Sequence, residues 1–76
     1  MAKTKDVQFE IVEHIATIEE FGSGWTFEFN LVTWNGGEPK YDLRNWNEDH
    51  TKCSKGMTLF SNEMETIAKA YKKHKK

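Results

Sequence analysis

The chain has 76 residues, enough for one small domain. Its 37% apolar, 30% charged and 13% aromatic residues make a globular composition, too rich in rings for a disordered chain. The formal net charge of −1 excludes a histone-like carpet of cations, and no apolar run reaches the roughly 18–20 residues of a membrane-spanning helix.

In chain order, Met1-Ala2-Lys3-Thr4-Lys5 has no apolar stretch of the signal-peptide kind. With Cys53 as the single cysteine, that predicts the cytoplasm. Residues Val7 to Phe21 read as a first strand. The alternation slips around Val12-Glu13-His14, which predicts a bulge there. Gly22-Ser23-Gly24 is a three-residue hairpin turn. The second strand is the plainest: Trp25, Phe27, Phe29 and Leu31 alternate with Thr26, Glu28 and Asn30, and the strand ends at Trp34. Asn35-Gly36-Gly37-Glu38-Pro39 opens with a hairpin-favouring Asn-Gly pair.

A third strand spans Lys40 to Asn47. Tyr41 and Leu43 point one way; Lys40, Asp42, Arg44 and Trp46 point the other. The polar segment Glu48 to Ser54 is a loop, and Lys55 to Leu59 is a short fourth strand. One helix follows, with Ser61 as N-cap, Phe60 as a hydrophobic staple and Glu63 in its first turn. Met64, Ile67, Ala68 and Tyr71 make one apolar stripe, and Lys69, Lys72, Lys73, Lys75 and Lys76 complement the helix C-terminus. The predicted fold is therefore α+β: a four-stranded antiparallel sheet followed by a C-terminal helix, β-β-β-β-α, in a single domain over residues 1–76. A core this small predicts a homodimer held partly by Met64, Ile67, Ala68 and Tyr71, because one cysteine cannot make an internal disulfide.

One helix covers one sheet face. Phe27, Phe29, Leu31, Tyr41 and Leu43 are the expected covered set, which leaves Trp34, Lys40, Arg44 and Trp46 on an open face. Rings left in water forfeit about 2–3 kcal/mol each, so an open aromatic face calls for a ligand. Rings interleaved with cations suit unpaired nucleic acid, whose bases stack and whose phosphates pair. The cations are unevenly placed. None lies between Asp6 and Pro39, and Lys40 to Lys55 supplies a local group that includes Lys52, with Lys3, Lys5 and the tail at the two ends.

Tyr41-Asp42-Leu43-Arg44-Asn45-Trp46, a polar loop, and Ser54-Lys55-Gly56-Met57-Thr58-Leu59 before a terminal helix resemble the single-stranded-DNA-binding domain of the transcriptional coactivator positive cofactor four. The likeness is to that family's short bacterial members, the YdbC type. It implies a curved four-stranded sheet, a homodimer with the helices at the interface, and single-stranded DNA across the sheets. By position it carries binding roles to Trp34, Lys40, Arg44, Trp46 and Lys55. The outer side of the second strand departs from the pattern, with Glu28, Asn30 and Val32 where the eukaryotic branch commonly has a basic residue.

The remaining motifs carry less. His50-Thr51-Lys52-Cys53 has the spacing of half a zinc site without a second pair, so no metal or cofactor is expected. No nucleophile–base constellation and no phosphate loop between strand and helix is present, so no enzyme is expected. Asp42 and Arg44, two apart on one strand face, are placed to pair and orient the guanidinium. The expected function is sequence-tolerant single-stranded DNA binding in transcription, replication or repair. Single-stranded RNA binding and docking of a protein on the tryptophan face are the alternatives.

Overall fold

The computed structural model of the chain describes residues 8–75. Four strands, β1 (Phe9–Glu20), β2 (Thr26–Trp34), β3 (Lys40–Trp46) and β4 (Met57–Leu59), precede one helix, α1 (Ser61–Lys75). The strands form one antiparallel sheet in sequence order. The predicted α+β order therefore stands. The expected strand start at Val7, together with Lys3, Lys5 and Lys76, lies outside the described residues.

β1 departs from its expected form. The alternation predicts one slip around Val12-Glu13-His14, but the register against β2 shifts three times, at Val12, Ile15 and Ile18. Each shift leaves one β-branched residue opposite no partner, at a spacing of three. Extra residues of this kind sharpen the local twist and re-aim side chains. β1 is also an edge strand, and Val12, Ile15 and Ile18 are all exposed.

The Trp34–Gly37 turn has Asn35 and Gly36 at positive φ (54° and 75°), which the Asn-Gly pair tolerates, and the Gly37 amide donates to the Trp34 carbonyl at 3.0 Å. The start of β1 is tied to this turn: Asn35 N–H donates to the Gln8 carbonyl at 2.6 Å, and Gln8 N–H donates to Asn35 Oδ1 at 3.0 Å. At Gly56 the chain crosses β3 so closely that a Cβ would overlap Arg44 Cβ and the Leu43 carbonyl, so only glycine fits. The helix caps one residue earlier than expected. The Phe60 carbonyl accepts from the Glu63 and Met64 amides, and the Glu63 carboxylate accepts from Phe60 N–H at 2.8 Å. Phe60 is thus the N-cap and Glu63 supplies half of a capping box; Ser61 is already inside the helix.

Register divides the sheet into two faces. One carries Thr26, Glu28, Asn30 and Val32 of β2 beside Trp46, Arg44, Asp42 and Lys40 of β3, with Phe9, Ile11 and His14 of β1 alongside. The other carries Phe27, Phe29, Leu31, Tyr41 and Leu43. The alternation predicts the membership of both faces, but the burial is the reverse of the one expected. Val32, Trp46, Asn30 and Asp42 are fully buried on the first face. The apolar second face is only half-buried, and α1, which lies over it near Tyr41, has no buried residue.

Candidate nucleic-acid interface

Arg44 is the most constrained cation in the molecule's candidate set. Its Nε donates to both Asp42 carboxylate oxygens, at 2.8 and 3.0 Å, and its Nη1 donates to the Ser54 carbonyl at 3.3 Å. The guanidinium carbon then sits 4.5 Å from the centroid of the Trp34 ring. A guanidinium held by a carboxylate fork and stacked on indole is pre-organised, which an ammonium cannot reproduce. Burial raises the Asp42 pKa above its ordinary 3.8, and this outweighs the opposing hydrogen bond and charge of Arg44. Gly56 belongs to the same construction, since the space a larger residue would need is occupied by Arg44 itself.

Trp46 requires a correction. It was expected on an open face beside Trp34, yet it has 0% exposure. The Phe9 ring lies 5.0 Å away and the His50 ring 5.6 Å away, and the backbone of Trp46 bridges to Cys53. A ring enclosed in this way supports the sheet and offers no face to a base. The indole N–H groups of Trp34 and Trp46 are buried and meet no acceptor among the described residues, a desolvation cost of about 1–3 kcal/mol each. Trp34 is half-buried, with Phe9 5.8 Å away. Lys40 lies with its ammonium 5.1 Å from the Phe60 ring, which is itself exposed. Lys52 and Lys55 are exposed on the connection between β3 and β4 and join no ion pair among the described residues. The structure therefore brings Trp34 and Arg44 together, adds the Lys40–Phe60 pair, leaves Lys52 and Lys55 in solvent, and removes Trp46 from the surface. Of the helix stripe, Met64 is half-buried, while Ile67, Ala68 and Tyr71 are exposed.

Sequence reading missed a polar cluster on the same face. Glu28, only 3% exposed, accepts from Thr26 Oγ1, from Asn30 Nδ2 at 3.0 Å and from His50 Nε2 at 2.9 Å. His14 Nδ1 donates to Asn30 Oδ1 at 2.7 Å and lies 3.5 Å from Glu28 Oε1; the tautomer is assigned from the amide oxygen, which can only accept. Thr17 Oγ1 then donates to His14 Nε2 at 3.1 Å. Burial pushes the Glu28 pKa up, but the hydrogen bonds from Thr26, Asn30 and His50 and the His50 charge outweigh it, holding the carboxyl below its ordinary 4.5. His50, at φ 62°, is the loop residue that this cluster pins to β2. The sequence signal was Glu28 itself, an acid on the alternating side of a strand whose face proves to be the interior. Both Glu28 carboxylate oxygens are bonded within the cluster, so Glu28 is a positioning group that joins β1, β2 and the 47–53 loop. No set of three metal-ligating side chains is placed to hold a metal among the described residues, and the His50–Cys53 pair gains no further ligand. Among the same residues, no helix is long and apolar enough to cross a membrane.

No protein-family model matches the chain. A curated relative, an uncharacterized protein of Treponema pallidum (strain Nichols), is 39% identical over 54 residues, covering 71% of this chain and 64% of that protein. The chain thus spans just under two thirds of that relative's length.

Proposed function

We propose that the protein binds single-stranded nucleic acid, DNA foremost, as a cytoplasmic homodimer related to positive cofactor four. The carrying observation is the Arg44 guanidinium, held by Asp42 and stacked 4.5 Å over Trp34. A fixed planar cation on a half-open ring is suited to a phosphate on its free edge and a base on the neighbouring surface. Lys40 and the exposed Phe60 ring extend this edge with a second cation and a second ring. Lys52 and Lys55 add unpaired charge from the β3–β4 connection. Trp46 acts from beneath, by holding the face in shape. A duplex hides its base faces, so this edge favours unpaired strands.

Fluorescence anisotropy with labelled single-stranded DNA, duplex and RNA of one length tests the reading. Trp34→Ala weakens single-strand binding by about 1–3 kcal/mol if its ring stacks on a base. Arg44→Lys weakens it although charge is kept, and Lys55→Ala flattens the salt dependence by somewhat under one unit, near the ~0.7 per phosphate of single strands. Equal affinity for duplex and single strand, or binding unmoved by Trp34→Ala and Arg44→Lys, refutes the proposal.

A further inference from the structure

The open apolar face carries charge as well as apolar surface. Register places Glu10, Glu13 and Glu19 of β1 on the side of Thr33, Leu31 and Phe27. Glu13 and the bulged Ile15 line a groove with Phe29, Tyr41, Met64 and Ala68, between the sheet and α1. At the far end of the same helix the last turn holds Lys72, Lys73, His74 and Lys75. Lys72 and Lys75 follow Ala68 and Tyr71 at i+4 and so flank the apolar stripe. Among the described residues, neither the acids of the β1 row nor these lysines join an ion pair.

From this we infer that the face receives a second copy of the chain in a charge-matched register, the basic helix end of each copy lying on the acidic β1 row of the other. The inference rests on the homodimer reading above and adds its register and the role of β1. Three observations select the occupant. A nucleic acid or an anionic membrane is repelled by Glu10, Glu13 and Glu19, whereas a second copy brings cations and an apolar stripe on one helix. Each copy carries both halves of the match, so a two-fold axis satisfies them together, as an isologous interface requires. The protein is also a thin plate, with a radius of gyration of 14.2 Å, where about 11 Å describes a compact domain of this length. One of the three register shifts bears on this face, since the bulged Ile15 lines the groove. A long edge strand with exposed Val12, Ile15 and Ile18 is an aggregation hazard unless something covers it.

Charge exchange tests the register. One variant carries Glu13→Lys and Glu19→Lys; the other carries Lys72→Glu and Lys75→Glu. All four positions are exposed, so both variants are expected to fold, which circular dichroism checks first. Sedimentation equilibrium at low salt is expected to show a wild-type dimer and about tenfold or more weaker self-association for each variant alone. An equimolar mixture is expected to restore dimer to within a few-fold of wild type. If the wild type sediments as a monomer, the homodimer reading fails and this inference falls with it. If the wild type dimerises but the variants self-associate equally well, or mixing restores nothing, the dimer stands and the register is wrong.

Discussion

The two faces of the sheet reverse the usual arrangement. The face bearing Glu28, Asn30, Asp42 and Arg44 is the interior, with Trp46 and Val32 fully enclosed. The face bearing Phe27, Phe29, Leu31, Tyr41 and Leu43 stays half open, and beside it Ile67 and Tyr71 are 48% and 60% exposed. Burying polar groups is costly unless each finds a partner. Here the partners are supplied locally: Asp42 by Arg44, and Glu28 by Thr26, Asn30 and His50. The comparison teaches that one face is closed within the chain except along its half-buried Trp34–Arg44 edge, while the other stays half open along its whole apolar row.

The largest expected effect breaks the completed face at its centre. Trp46→Ala removes a fully enclosed ring that touches Phe9 and His50, and such truncations cost about 3–5 kcal/mol. Urea unfolding followed by far-ultraviolet circular dichroism measures it. A midpoint unchanged from wild type shows that Trp46 is not the keystone of this face.

A comparable loss is expected at the ion pair, with a different signature. Asp42→Ala strands a nearly buried guanidinium and costs about 3–5 kcal/mol, as removal of one partner of a buried pair does. Replacing both residues, Asp42→Leu with Arg44→Met, is expected to recover much of that loss while single-strand affinity stays low. Recovery of stability and of binding together excludes Arg44 from the interface.

The two buried acids also give opposite pH signatures. Glu28 is held below its ordinary 4.5, so it contributes stability above that range, which is lost as pH falls through its folded value. Asp42 is raised above its ordinary 3.8, so its contribution is present at lower pH and is lost as pH rises through its folded value. Between about pH 6 and pH 4, Glu28→Gln is therefore expected to lose less stability than wild type, and Asp42→Asn to lose more. Thermal melts at stepped pH measure both. Equal acid sensitivity in the three proteins removes the distinction between the two acids.

How much of this was legible from residues alone depends on what period and spacing encode. The period of two in β2 and β3 gave the membership of each face, and the spacing of Asp42 and Arg44 anticipated their pairing. Alternation does not say which face is covered. That is decided by Phe9 from β1 and by His50 from the loop, 41 residues apart in sequence and both brought against Trp46 by the fold. Hence Trp46 read as exposed when it is the most enclosed ring. The spacing of three from Phe9 through Val12, Ile15 and Ile18 to Phe21 was present in the sequence, but it fits neither a regular strand nor a helix. Only its register against β2 identifies it as repeated bulging. The Phe60 cap was obscured because a phenyl side chain cannot accept the hydrogen bond that usually marks an N-cap.

The smallest expected effect lies on the open face and depends on concentration. Tyr71→Ala truncates a ring that is 60% exposed, on a helix with no buried residue. Within one copy it should cost under about 0.5 kcal/mol, the range for surface substitutions. If a second copy covers the face, the same ring is part of an interface, and its loss acts through mass action. The wild-type melting temperature then rises with protein concentration, because association stabilises only the folded chain. Tyr71→Ala should match wild type at high dilution and fall progressively behind as concentration increases. Melts across a hundredfold concentration range decide the matter: parallel lines for the two proteins would show that Tyr71 faces only water, and a divergence would place it against a partner. The same series on Trp46→Ala should show a deficit at every concentration, which separates a residue that completes the fold from one that completes the assembly.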